Sequence, residues 1–165
     1  MSENDDLATR LVIGCSRFAR TAAYASGAAR SAVLAMRLLS QLDTRGPLRV
    51  GTLAHLESTT QPGVTAAVKS LEQEGHVVRC ADPTDARATV VEMTESGASV
   101  LARYHRALAA TVAPELDELT TDERADLVRA LGILERLTTK HIALGAIHPN
   151  HADSTGADSA RKKDL

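Results

Sequence analysis

Aromatic side chains are almost missing from this chain. Among 165 residues there is no Trp, and Phe18, Tyr24 and Tyr104 are the whole aromatic inventory. A core built from this sequence must be aliphatic, and 44% hydrophobic residues supply enough material for one. Cysteine is scarce as well: Cys15 and Cys80 stand far apart and fit no CxxC or zinc-ribbon spacing. No apolar run is long enough to span a membrane, and the acidic start MSENDDLATR lacks the basic and apolar regions of a signal peptide. These absences point to a soluble, cytoplasmic protein in a reducing compartment. Neither sign of charge dominates. The formal net charge is −2, so the total decides nothing about a nucleic-acid partner and the placement of charges must.

What is present is Ala, Leu and Arg, a composition that favours helix over sheet. From Leu7 to about Tyr24, apolar residues recur every three or four positions (Leu7, Leu11, Cys15, Phe18, Ala22, Ala25), with Arg10, Arg17 and Arg20 off the stripe. Ser26-Gly27 breaks the pattern, and a second helix is expected from about Ala29 to Leu42. Asp43 to Pro47 reads as a turn. LRVGTLAHLE suits a short helix, four polar residues follow, and TTQPGVTAAVKSLEQEG has the features of another helix. Thr60 or Gln61 can cap it, Pro62 loses no hydrogen bond in its first turn, and Gly75 supplies a left-handed stop.

After Gly75 the period becomes two. HVVRCA and ATVVEM read as strands of a hairpin, joined by Asp82 to Arg87 in a polar tip expected to be longer than a two-residue turn. Thr94 to Gly97 opens a long helix that Pro114 should end or kink. A last amphipathic helix follows Thr120 or Thr121, with Leu127, Leu131, Leu134 and Leu137 along one side. The order predicts a mainly α fold: a winged helix–turn–helix with a two-stranded β-hairpin wing, flanked by helices from both ends of the chain. Residues 1–28 and 113–147 form the flanking helical region and 29–112 the helix–turn–helix lobe with its long connecting helix. Residues 148–165, poor in apolar side chains, are expected to be a disordered tail.

The polar side of TTQPGVTAAVKSLEQEG carries the functional reading. Gln61, Thr65 and Lys69 recur at four-residue intervals and share one face. In a helix–turn–helix the second helix enters the DNA major groove. There Gln can read adenine, Thr can meet a thymine methyl, and Lys can reach guanine or phosphate. Thr60 and the helix-start N–H groups suit a phosphate oxygen. The plain alternative is a solvated face; the short helix before it and the hairpin after it favour DNA. Arg79 and Arg87 on the hairpin could meet backbone or minor groove, with Asp85 pairing an arginine to hold the loop in shape.

QPGVTAAVKSLEQEGHVVR, the DPTDAR wing with Asp85 and Arg87, and MTESG at the next helix start together resemble the MarR family of transcriptional regulators. The resemblance runs from about Leu34 to Leu101 in motif detail and over about residues 7–143 in element order. It implies a homodimer whose N- and C-terminal helices interlock, bound to double-stranded DNA at a pseudo-palindromic operator. It also implies repression relieved by a small-molecule effector or an oxidant. By the same resemblance Thr60, Gln61, Pro62, Thr65 and Lys69 face DNA, with Arg87 as the wing arginine and Asp85 its companion. The chain departs from the family pattern at Ala66 and at Ala86-Arg87, where basic residues are common. Over residues 45–90, five basic side chains (Arg45, Arg49, Lys69, Arg79, Arg87) are balanced by five acidic ones, so a shallow salt dependence is expected unless flanking basics such as Arg30, Arg37 or Arg161-Lys162-Lys163 assist.

Three side chains are candidates for an effector pocket by that resemblance: Phe18, Met36 and Tyr104, each of a kind more often found as plain core. Cys15 lies near where a peroxide-sensing branch keeps its thiol, yet packing as a small buried hydrophobe is the stronger expectation. The six histidines show no i, i+4 pairing, so no metal site and no cofactor is read. No nucleophile elbow, phosphate loop or HExxH motif calls for an enzyme. The balanced charge of the lobe sustains one rival, a winged-helix module that binds protein with DNA binding weakened or lost.

Overall fold

The computed structural model describes residues 2–27 and 30–146. The predicted tail 148–165, with His148, His151 and its basic cluster, lies outside them. The elements are α1 (Glu3–Ala25), α2 (Arg30–Arg45), α3 (Val50–Leu56), α4 (Gln61–Gln73), β1 (Val77–Asp82), β2 (Asp85–Met93), α5 (Glu95–Asp117) and α6 (Thr121–Ala146). The expected winged helix–turn–helix with flanking helices is the observed fold.

Local chemistry sets the helix starts. Ser2 and Asp5 form a reciprocal capping box on α1. Thr60 caps α4 through Gly63 N, with Pro62 in the first turn. The Thr94 hydroxyl accepts from Gly97 N at 3.1 Å and donates to Gly75 O at 2.7 Å, so one residue caps α5 and ties it to the end of α4. Thr120 and Glu123 make a second reciprocal pair at the start of α6, and the Thr120 hydrogen bonds hold the Glu123 carboxyl below its ordinary range. Gly75 has φ +76°, the left-handed stop expected after α4.

The core is aliphatic. Leu38, Leu39 and Leu42 of α2 meet Leu53 of α3, Val64, Val68 and Leu71 of α4, Val77 and Val91 of the hairpin, and Leu101 of α5. Small and branched side chains let the helices and hairpin pack closely without a large ring. Leu48 joins the sheet edge by a bridge to Val91, with N–H to O distances of 3.1 and 2.8 Å.

Two expectations are corrected, at Pro114 and at the hairpin turn. The α1 stripe, on a helix expected to serve dimerisation, is uncovered in the single chain: Leu7 and Phe18 are exposed and no residue of α1 is buried. Within α6, taken by itself, Leu127, Leu131 and Leu137 are likewise exposed. Periodicity marks an apolar face but not what covers it. Pro114 does not end α5, which continues to Asp117; so near the terminus the ring forfeits one backbone bond, and the exposed Ala110 turn leaves the freed carbonyl to water. The hairpin turn is tighter than expected, with Asp82 paired directly to Asp85. The register shifts between Ala81 and Asp82, so the extra length lies in β2 as a bulge at 86–88.

Among the described glycines, Gly97 has the least room for a side chain. A Cβ there would stand 2.2 Å from His76 O and 2.8 Å from Met93 Cγ. Gly97→Ala is expected to lower stability by roughly 1–3 kcal/mol in urea unfolding. Gly51→Ala in α3, where a Cβ meets nothing within 4 Å, should raise it by about 0.5–1 kcal/mol.

Candidate nucleic-acid interface

The orientation of α4 follows from its buried edge. With Val64, Val68 and Leu71 in the core, Gln61, Thr65 and Lys69 are exposed on the adjoining face, about a quarter turn round the helix. The Thr65 hydroxyl donates to Gln61 O at 2.8 Å. It can therefore offer a partner its lone pairs and methyl, while its proton stays on the backbone. Among the described residues Lys69 makes no ion pair or hydrogen bond. Thr60 and Pro62 are exposed at the helix start.

The turn before α4 is strained at one residue, Ser58, with φ 48°. Beside it Glu57, the C-cap of α3, is buried at 6% exposure. Its carboxylate lies 2.5 Å from Arg37 Nε and accepts from Gln41 Nε2 at 2.8 Å. Gln41 in turn accepts from Arg45 at 3.1 Å. Arg37 therefore neutralises a buried carboxylate between α2 and the helix–turn–helix.

The wing is an ion-paired structure. Arg79 is paired with Glu72 of α4 at 3.2 Å, which ties β1 to α4. Asp85 Oδ1 accepts from Arg87 N at 3.0 Å, and its other oxygen lies 3.6 Å from Arg49. The loop-holding pair expected of Asp85 thus exists, with Arg49 as its cation. The Arg87 side chain is exposed and makes no ion pair among the described residues. Asp82 is buried and accepts from both Thr84 Oγ1 and Thr84 N, at 2.7 and 2.8 Å, as well as from Arg49 Nε at 2.7 Å. These bonds, Thr84's first and then Arg49's, hold its carboxyl down to about 2.

Those geometries stand beside three comparisons. The MarR family model matches residues 34–89. An HTH-type transcriptional regulator of Mycobacterium tuberculosis is 30% identical over 131 residues, covering 76% of this chain and 92% of that one. The chain belongs to the MarR family. Solved structures share its architecture: a transcriptional regulator from Thermotoga maritima (21% identity, TM-score 0.59, 84% of this chain and 98% of that one) and a MarR family protein from Bacillus stearothermophilus (19%, 0.59, 84% and 99%).

The remaining candidates of this MarR chain are dispersed. A cleft of about 470 Å³ lies between α2 and α4, lined in part by Met36, Gly63, Ala66, Ala67, Ser70 and Glu74. Met36 alone of the three pocket candidates lines it; Phe18 is exposed on α1 and Tyr104 half-buried on α5. Cys15 is exposed rather than buried, a correction that follows from the uncovered α1 stripe. Cys80 is half-buried, and burial together with the neighbouring Glu92 carboxylate pushes its thiol up. No helix among the described residues is long and apolar enough to cross a membrane.

Sequence reasoning passed over Arg49, Glu57 and Asp82. Asp82 had a signal: an Asp two residues before Thr84, across a Pro, is the spacing of a side-chain-closed turn. Glu57 had none, being one of four polar residues in a row.

Because the folded Asp82 carboxyl sits at about 2 against an ordinary 3.8, its contribution is complete above the ordinary value and is lost as pH falls through the folded one. Acid titration of urea stability between those values should therefore fall more steeply for the wild type than for Asp82→Asn. Parallel curves would refute the assignment.

Proposed function

We propose that this MarR-family protein is a homodimeric, sequence-specific DNA-binding regulator, acting as a repressor released by a small-molecule effector. One observation carries the reading: on a single lobe, α4 exposes Gln61, Thr65 and Lys69 from a Thr60-capped start while the adjacent wing exposes the Arg87 side chain, which has no ion pair among the described residues. In this reading Gln61 and Thr65 read base edges, Thr60 and the helix start hold a phosphate, and Lys69 takes guanine or phosphate. Arg87 meets the minor groove or backbone. Arg79, committed to Glu72, contributes by aligning β1 with α4 and reaches a phosphate only at the edge of the footprint.

The dimer is assigned to residues 1–28 and 113–147. Leu7, Val12, Ile13 and Phe18 of α1 and Leu127, Val128, Leu131, Ile133 and Leu137 of α6 are 39–65% exposed, and exposed apolar side chains clustered on a helix mark interaction surfaces. A second copy is the occupant proposed for each of the two helices. Two recognition helices would then stand about 34–36 Å apart on a pseudo-palindromic site. Phe18, Met36 and Tyr104 remain the effector-pocket candidates, and the cleft that Met36 lines backs directly onto α4. Cys15, exposed on α1, is the redox candidate.

A second reading, a winged-helix module that docks protein, is favoured by the equal count of acids and bases over residues 45–90. Fluorescence anisotropy against DNA from upstream of the chain's own gene, with an unrelated duplex as control across a salt series, separates the two. The regulator reading expects selective, salt-dependent binding at two subunits per site; equal weak binding to both duplexes favours the protein module. Gln61→Ala or Thr65→Ala should relax base preference at a cost of roughly 1–3 kcal/mol per lost base contact. Arg87→Ala should weaken binding to all duplexes alike and reduce the salt slope by about 1. Leu131→Glu should shift sedimentation toward the monomer; an unchanged dimer would place the interface elsewhere.

A further inference from the structure

One basic side chain of the lobe is turned toward protein at a place where DNA would be the obvious partner. Arg49 is the residue from which α3 starts, and it makes no side-chain cap to that helix. Its guanidinium instead reaches the closed end of the hairpin. Nε donates to Asp82 Oδ2 at 2.7 Å, and Nη2 lies 3.6 Å from Asp85 Oδ2. Asp82 and Asp85 face each other across the turn as the last paired positions of the hairpin. A single planar cation thus grips both arms.

Each carboxylate passes the constraint onward. Asp82 closes the turn through Thr84, by its amide and its hydroxyl. Asp85 accepts the backbone N–H of Arg87, inside the bulge that follows the register shift. The next residue back, Leu48, is bonded in both directions to Val91, lower on β2. Residues 48 and 49 therefore dock the wing at two heights. A two-stranded hairpin has little stability of its own, and a bulged one bends readily, so its pose depends on what it is docked to.

We propose that Arg49 is the positioning residue of the wing: by bridging Asp82 and Asp85 it sets where Arg87 is presented relative to α4, without itself touching DNA. The inference rests on the DNA-binding reading and adds to it the device that couples the helix–turn–helix to the wing. The rival role for Arg49 is direct phosphate contact. Two carboxylates on one guanidinium oppose it, since they leave the cluster with no positive charge to offer.

A double-mutant cycle with an amide-exchange readout tests the proposal. The wild type, Arg49→Met, Arg87→Ala and the double variant are titrated with the same operator duplex at one salt concentration. Arg49→Met is expected to weaken binding by about 5- to 30-fold, close to the loss for Arg87→Ala. The double variant should be no weaker than Arg87→Ala alone, within about twofold, because interactions acting through one group do not add. The pattern of preferred bases should stay as in the wild type. Penalties that multiply would overturn the proposal and make Arg49 a contact in its own right.

Hydrogen exchange without DNA gives an independent arm. Arg49→Met should speed exchange at the Thr84 and Arg87 amides while leaving Val68 and Leu71 of α4 protected; unchanged wing amides, or loss of protection throughout, would sink the idea. Asp85→Asn, which keeps the shape and cuts the link from the other end, should reproduce the binding loss and likewise fail to add to Arg49→Met. If the wild type shows no selective DNA binding, the functional proposal fails, and the exchange measurement alone then decides whether Arg49 holds the wing.

Discussion

The buried edge of α4 is the constraint on which the lobe depends. Val64, Val68 and Leu71 sit at 0%, 0% and 2% exposure against α2, α3, the hairpin and α5. On a helix those positions fix the rotation about its axis, because a turn of one residue swings every side chain by about 100° and would carry the apolar edge into water. Once the edge is buried, Gln61, Thr65 and Lys69 can face only outward. The reading surface is thus specified by residues that never meet a ligand.

Around that core the polar interactions act as alignment pins. Glu57 with Arg37 and Gln41 links α2 to the turn, Arg79 with Glu72 links β1 to α4, and Arg49 with Asp82 and Asp85 links the start of α3 to the wing. Exposed pairs contribute little to stability, so the value of such contacts lies in relative placement. The two that include a buried carboxylate, at Glu57 and Asp82, carry more weight, because a buried acid deprived of its partners is costly. The result is a lobe with equal acids and bases in which several arginines are committed to protein, while Lys69 and Arg87 keep exposed side chains with no partner among the described residues.

Much of the fold was legible in the sequence. The switch from helical period to alternation after Gly75, the Thr–Pro start of α4 and the Thr94 cap are local signals, set by backbone chemistry within a few residues. They placed α4 and the hairpin closely. What the periodicity of α1 and α6 could not say is what covers their apolar faces. Both stripes were assigned to a dimerisation region, and both are exposed in the single chain; Cys15, expected to be buried, is exposed with them. Pro114 was expected to end or kink α5, and the helix runs on to Asp117, since a proline's effect depends on how much helix remains.

The sequence by itself determined the order of elements, the mainly α winged helix–turn–helix class and the face of α4 that carries Gln61, Thr65 and Lys69. All of these follow from spacing along the chain. Only the tertiary structure decided which arginine is engaged by which acid. Arg49 and Asp82 are 33 positions apart, Arg37 lies on α2 and Glu57 at the far end of α3, and no local pattern encodes either pair. Charge composition showed five acids and five bases in the lobe; folding sorted them, because each pair needs its two groups brought within about 4 Å, and that distance is set by the packed core rather than by the chain between them.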